Sequence, residues 1–309
     1  MNGTAEVEII VRHPDMVGES PCYDGAHRRL LWVDIHGQKL HALAIGSDGN
    51  WTERRTWQLD GMPCAVMPRT NGGVLVALDT DLVVLDEIGE SMLFASLPSE
   101  YHAVRFNDAT CDSMGRVFAG WVAAEDASTP GGLVRFDPDG SIESLLTNVG
   151  LPNGLGWSPD SETFYFTDTL ARRIDAFDFD VAEGRLSGRR GFLKIEDGSG
   201  APDGMAVDSD GYVWVAIPYS GQVRRYSPKG ELVNAIDLPT PMPTSCAFAG
   251  PDGSELFITS LSIDLPTEFS SQLGLMSDRL AAAAHNDMGG ALLLCRPGAS
   301  GLPANEFAG

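Results

Sequence analysis

Six short apolar and aromatic runs return along the chain at nearly even intervals: "LLWVD" (30–34), "GVLVAL" (73–78), "RVFAGW" (116–121), "TFYFTD" (163–168), "YVWVAI" (212–217) and "ELFITS" (255–260). Their centres, Trp32, Leu75, Phe118, Phe164, Val213 and Phe257, are separated by 43, 43, 46, 49 and 44 residues. An even period of this length constrains the fold strongly. Each repeat must be one supersecondary unit that buries its apolar faces against its neighbours. Gly or Asp-Gly turns precede most of the runs ("DSMGR", "DSDGY", "GPDGSE"), and β-branched and aromatic residues dominate them, which is strand-and-hairpin chemistry.

A second strand-like phrase follows each run: "KLHALAI", "DLVVLD", "GLVRFD", "RIDAFDFD", "QVRRYS" and "ALLLCR". In the first five repeats a turn and a further strand come next ("WTERRTWQL", "SMLFASL", "IESLLTNV", "GRRGFLKI", "LVNAIDL"). Counting the stretch before each run, four strands per period predict an all-β chain, a six-bladed β-propeller forming a single domain over 1–309. The sixth repeat lacks its outer strand, and "AEVEIIV" (5–11) has no other home. That N-terminal strand is therefore expected to pair in the last blade and close the ring. The stretch "MSDRLAAAAHN" (276–286) reads as helical and marks an insertion near 262–289 in the last blade. A β-sandwich or two separate domains would leave the spacing unexplained.

Composition narrows the function. The formal net charge is −22, and Lys39, Lys194 and Lys229 are the only lysines. So acidic a chain repels phosphate backbones and anionic lipid, which argues against nucleic acid or a membrane surface as partner. The 5 cysteines are odd in number and scattered, with no CxxC pair, as expected of buried thiols in a reducing compartment. The start "MNGTAEVEIIVRHPD" lacks the basic-then-apolar plan of a signal peptide, and no apolar run approaches the ~18 residues of a membrane span. The expectation is a cytoplasmic protein.

In a propeller the first strand of each blade lines the central channel, so the residue that begins it faces one mouth. Aligning the repeats puts Glu19 ("GESPCYD"), Pro63–Cys64 ("MPCAVMP"), Asn107 ("RFNDATCD"), Asn153 ("LPNGLGW"), Asp203 ("APDGMAV") and Thr244–Ser245 ("MPTSCAF") on one ring. Two carboxylates, Glu19 and Asp203, with the Asn153 amide oxygen compose a hard-oxygen site. It suits one divalent cation, Ca²⁺, Mg²⁺ or Mn²⁺, with Zn²⁺ also admissible. Taken alone, Asn-Gly and Asp-Gly are ordinary turn formers. Their recurrence favours the ring, because two acids in a narrow channel repel each other without a cation.

Other motifs are silent. His102 reads as a rim histidine or as a pocket acid or base, and no HxxxH or HExxH spacing supports a histidine-ligated zinc. No G-x-S-x-G elbow is present. "DGSGAPDG" (197–204) lacks the strand-then-helix setting of a nucleotide loop, and "SPDSE" and "GPDGSE" read as turns rather than calcium loops.

Over essentially its whole length the sequence resembles the SMP-30/gluconolactonase family, also called the regucalcin or luciferin-regenerating-enzyme-like family. The phrases that carry the resemblance are "GESPCYD" with "LLWVDIHGQKLH", "RFNDATCDSMGRVFAG", "LPNGLGWSPDSETFYFTDT", "PDGMAVDSDGYVWVA", "PTSCAFAGPDGSELFITS" and the tail "GLPANEFAG". The resemblance implies a six-bladed propeller with one divalent metal at the channel mouth, held by Glu19, Asn153 and Asp203. It also implies substrate contacts from Arg105 and Asn107, with Glu125 standing where some sugar lactonases place an acid against sugar hydroxyls. The activity implied is metal-dependent hydrolysis of a small lactone, a sugar lactone or a more apolar one. The ion would polarise the carbonyl for attack by water, with Asp203 as base or hydroxide held by the ion in its stead. Phosphotriester hydrolysis on the same metal face, and calcium binding in a regulatory role without turnover, are the two alternatives the same resemblance covers.

Two departures bear on the substrate. The usual "NDG" is here Asn107, Asp108, Ala109, and a "GTM"-like triplet is Gly120, Trp121, Val122. If the Trp121 ring faces the pocket, it favours a lactone with an apolar part; if it turns into the sheet, it is packing. A small-molecule substrate is the partner implied, and the oligomeric state is left open.

Overall fold

The first strand of the chain lies against the last. In the computed structural model β1 (Val7–Val11) runs antiparallel to β24 (Leu292–Cys295), with Val7 opposite Cys295 and Ile9 opposite Leu293. The described residues are 6–12, 15–123, 128–196, 198–263 and 287–309. Glu125 lies outside them, as does the helical reading of 276–286 with most of the insertion expected near 262–289.

The described residues form six four-stranded sheets. The first comprises β2 (Gly18–Asp24), β3 (Arg29–Asp34), β4 (Lys39–Ile45) and β5 (Trp51–Gln58). The second comprises β6 (Pro63–Pro68), β7 (Val74–Leu78), β8 (Asp81–Leu85) and β9 (Ser91–Ser96). The third has β10 (Arg105–Cys111), β11 (Val117–Val122), β12 (Gly131–Phe136) and β13 (Ile142–Val149). The fourth has β14 (Pro152–Trp157), β15 (Thr163–Asp168), β16 (Arg173–Asp180) and β17 (Arg185–Lys194). The fifth has β18 (Met205–Val207), β19 (Val213–Ile217), β20 (Gln222–Tyr226) and β21 (Leu232–Asp237). The sixth is β22 (Pro243–Ala249), β23 (Glu255–Ser260), β24 and, as its outer strand, β1.

Strands β2, β6, β10, β14, β18 and β22 touch one another in a closed circuit, so the sheets are the blades of a six-bladed β-propeller. The N-terminal strand closes the ring, as its unpaired sequence required. Each of the six apolar runs is the second strand of its blade. Strands β3, β11 and β19 are buried along their whole length, covered on both faces by neighbouring blades, whereas the outer strands β13, β17 and β21 are largely exposed. Burial on both faces turns a strand into a continuous apolar phrase rather than an alternating one.

Six apolar cores fill the six seams between adjacent blades. Between the third and fourth, Phe118 meets Trp157 at 5.1 Å and Phe179 at 5.8 Å, both edge-on. Each buried ring of this kind stabilises by about 1.5–3 kcal/mol through area removed from water. The turns between first and second strands follow the Asp-Gly chemistry of the sequence. Asp112 and Asp208 accept backbone N–H bonds within their own turns, closed by Gly115 and Gly211 at φ of 73° and 82°. Asp160 and Asp252 do the same in "SPDSE" and "GPDGSE", which are turns.

The C-terminal tail crosses the face that carries these turns. Gly301 bridges to Asp208, Phe307 to Arg69, and the Phe307 ring is fully buried in the core between the second and third blades.

Candidate active site

Each blade presents its channel residue from an irregularity in the inner strand. Pairing with the second strand slips between Glu19 and Cys22, Pro63 and Ala65, Phe106 and Ala109, Asn153 and Leu155, and Pro243 and Cys246. A bulge of this kind leaves residues out of the ladder and re-aims their side chains. In the fifth blade the ladder begins only at Met205, and Asp203 is held ahead of it by its N–H bond to the Ala216 carbonyl at 3.0 Å. The same end of all six blades is thus freed to face the axis.

Local strain accompanies Glu19. Ser20 takes a left-handed φ of 49°, its N–H binds Glu19 Oε2 at 2.9 Å, and its hydroxyl accepts the Val66 N–H at 3.2 Å. That backbone costs a non-glycine residue about 1–2 kcal/mol and locks the carboxylate's approach. In "PNG" and "PDG" the glycines are not turn residues. Asn153 and Gly154 lie within β14, and neither Gly154 nor Gly204 has a left-handed φ. They are glycines because the blades close tightly here: a Cβ on Gly154 would lie 2.6 Å from the Asp203 carbonyl oxygen and 2.7 Å from Thr167 Oγ1.

Hydrogen bonds join the predicted residues across blades. Arg105 Nη1 donates to Asn107 Oδ1 at 2.7 Å and to the Phe106 carbonyl at 2.8 Å. Asn107 Nδ2 donates to Asn153 Oδ1 at 2.8 Å, and Asn153 Nδ2 donates to Thr169 Oγ1 at 2.9 Å. Arg105, Asn107 and Asn153 are therefore one connected group.

Glu19 meets this group electrostatically through Arg105, and it feels the charge of Asp203 as well. Burial pushes the Glu19 carboxyl well above the usual range; the negative charges of Asp203 and Asp108 push the same way, against the Ser20 N–H and the Arg105 charge. Asp203 is raised well above its usual range by burial and by Asp108, opposed by the Gly204 N–H. Burial raises Asp108 to about 7. Asp203 Oδ1 is enclosed and has no hydrogen-bond partner. Three acids whose ionised forms are disfavoured, one with an orphaned oxygen, carry more negative charge than Arg105 alone offsets. The donor set fits a hard divalent cation, with Glu19, Asp203 and the Asn153 oxygen as the groups that would hold it. Among the described residues no three His, Cys, Asp or Glu side chains form a cage by themselves, so an ion here needs the amide oxygen and water to complete its shell.

Asp108 was not singled out from the sequence. Its signal was its place beside Asn107 in "RFNDATCD", within the bulge. The Trp121 ring belongs to the core between the second and third blades, 8% exposed, with Tyr101 edge-on at 5.5 Å. Of the two readings of this residue, packing is the one its surroundings favour. His102 stands exposed on the loop before β10, a rim histidine. A cavity of about 650 Å³ lined by Tyr23, Arg28, Phe248 and Pro303 opens at the far end of β2 from Glu19, so its size has no bearing on the site.

A family model described as SMP-30/Gluconolactonase/LRE-like region matches residues 17–262, which include Glu19, Arg105, Asn107, Asn153 and Asp203. The chain belongs to this family. Among its relatives, a regucalcin of Danio rerio is 36% identical over 275 residues, covering 85% of this chain and 89% of that one. A pentonolactonase of Haloferax volcanii is 36% identical over 251 residues, covering 80% and 82%. Among solved structures, a calcium-binding regucalcin of Agrobacterium tumefaciens superposes with a TM-score of 0.84 at 26% identity, covering 98% of this chain and 97% of that one.

Proposed function

We propose that the protein is a lactonase that works with one divalent metal ion, its substrate a small sugar lactone. The observation that carries this reading is the enclosed, partnerless Asp203 Oδ1, on a residue whose charge reaches Glu19, in a site whose other wall is the Arg105–Asn107–Asn153 group. The pentonolactonase relative supports the reaction, and the calcium-binding regucalcin supports the ion. With Trp121 in the packing, the argument for an apolar substrate loses its basis, and the polar Arg105–Asn107–Asn153 group suits a hydroxylated ring.

A bound ion would supply Lewis acidity toward the lactone carbonyl oxygen. The chain's own residues do the rest. Arg105 and Asn107 orient the substrate, the guanidinium as a fixed positive charge and the Asn107 oxygen, through its remaining lone pair, as an acceptor. Asp203 takes a proton from the attacking water as the C–O bond to the carbonyl carbon forms. Its enclosed Oδ1, which has no hydrogen-bond partner, is the acceptor. As the ring C–O bond breaks, that proton passes to the leaving oxygen, giving the open hydroxy acid. A panel of sugar lactones, aliphatic lactones and paraoxon-like esters, followed by acid release, tests the proposal. Turnover of sugar lactones above the others is expected, whereas a preference for the phosphotriester would overturn it.

The regucalcin relatives favour a second reading, calcium binding at the same site without turnover. Saturable Ca²⁺ binding with no hydrolysis anywhere in the panel would establish it.

A further inference from the structure

The hydrogen bonds of the site continue past Asn153. From Arg105 the line runs Nη1–H to Asn107 Oδ1 (2.7 Å), Asn107 Nδ2–H to Asn153 Oδ1 (2.8 Å), Asn153 Nδ2–H to Thr169 Oγ1 (2.9 Å) and Thr169 Oγ1–H to the Pro202 carbonyl (2.8 Å). It crosses from the third blade through the fourth to the loop that carries Asp203. Its direction is fixed at both ends, since a guanidinium only donates and a carbonyl only accepts.

From the Pro202 end, the single hydroxyl proton of Thr169 is committed to a carbonyl. Thr169 therefore offers Asn153 only lone pairs, and Asn153 must turn its NH2 group toward it. From the Arg105 end, Asn107 must turn its oxygen to the guanidinium and its amide protons to the Pro152 carbonyl (2.7 Å) and Asn153. Both ends give the same answer: the Asn153 oxygen points away from Thr169. Neither amide can flip without setting donor against donor or acceptor against acceptor. Thr169 is 2% exposed, so bulk water does not stand in for it.

We propose that Thr169 is a positioning residue of the centre. It fixes the Asn153 carboxamide with its oxygen available to an ion. Through the carbonyl of Pro202, the residue before Asp203, it also ties two of the three proposed ligands together. This rests on the reading of Glu19, Asn153 and Asp203 as an ion site.

Thr169→Val keeps the shape and removes the hydroxyl; Thr169→Ser keeps the hydroxyl. On the full chain, Ca²⁺ affinity is measured by calorimetry and side-chain amide exchange of Asn153 by NMR of the metal-stripped protein. Thr169→Val is expected to weaken Ca²⁺ binding by about 10–100-fold and to speed exchange of the Asn153 amide, with Thr169→Ser staying within about threefold of wild type. In an Asn153→Asp background the Thr169→Val penalty should fall below about threefold, because a carboxylate presents an oxygen whichever way it turns. Wild-type affinity in Thr169→Val, or an equal penalty in both backgrounds, would overturn the proposal. If the wild type binds no Ca²⁺ or Mn²⁺, the ion-site reading fails and the exchange measurement alone decides: faster exchange in Thr169→Val upholds the positioning role, unchanged exchange overturns it.

Discussion

Gly204 and Ser245 meet so closely across the seam of the fifth and sixth blades that a Cβ on Gly204 would lie 2.1 Å from Ser245 Oγ and 2.8 Å from its Cα. The obstruction includes backbone, so a rotamer change cannot relieve it. The Asp-Gly pair is therefore a spatial device that lets Asp203 stand at the axis.

Gly204→Ala should lower stability by about 1–3 kcal/mol through overpacking at this seam. Gly191→Ala is the control, because nothing lies within 4 Å of its Cβ position and its φ is not left-handed. Thermal unfolding of both variants checks this, with Gly191→Ala expected near wild type. Equal midpoints for Gly204→Ala and wild type would show that the blades part more easily than their spacing implies.

Removing a charge from the site should separate function from stability. Glu19→Gln and Asp203→Asn are each expected to abolish cation binding and hydrolysis. Yet the metal-free variants should unfold no earlier than metal-free wild type at pH 8, because the acids there repel one another. Calorimetry and thermal melts in chelator decide the matter. A variant that melts well below the wild type would make the carboxylate a structural group.

The same electrostatics set a pH dependence. Asp108 rises from 3.8 to about 7, and Glu19 and Asp203 are raised too. Between the unfolded values near 4 and these raised folded values, the folded chain binds more protons than the unfolded one. The contribution of these acids therefore falls as pH increases through that window, and stability should decline from about pH 4 to 7 without metal. A saturating cation should flatten the slope, and its binding should release protons. Denaturant midpoints with and without Ca²⁺ measure both, and identical slopes would count against a cation among these acids.

Arg105 is assigned to the substrate. Arg105→Ala should reduce kcat/KM by at least about tenfold while changing cation affinity by less than about threefold. Steady-state kinetics at saturating metal, paired with calorimetry, separates these. Loss of cation affinity along with activity would make Arg105 a structural support of Asn107 and Asn153.

The six blades were legible because each second strand is buried on both faces, so its apolar run survives turn and loop variation as an even period. Closure was legible from one strand too many at the N-terminus and one too few at the C-terminus. The ring of Glu19, Asn107, Asn153 and Asp203 followed from aligning the repeats. Through-space constraints were hidden. The Gly154 contact involves Thr167 and Asp203, and the Thr169 bond to Asn153 spans 16 residues. Asp108 escaped notice because strict alternation sends neighbours of a channel residue to the other face, and only the bulge between Phe106 and Ala109 suspends that rule. Trp121 was undecidable from its own strand, since a strand buried on both faces gives no sign of which seam takes a ring.

The most direct measurement is lactone hydrolysis as one divalent cation is titrated back into metal-stripped protein. Wild type should be inactive when stripped and regain full turnover at one ion per chain, while Asp203→Asn should stay inactive throughout. Full turnover by the stripped wild type, or recovery by Asp203→Asn at the same stoichiometry, would contradict a metal-dependent lactonase built on Glu19, Asn153 and Asp203.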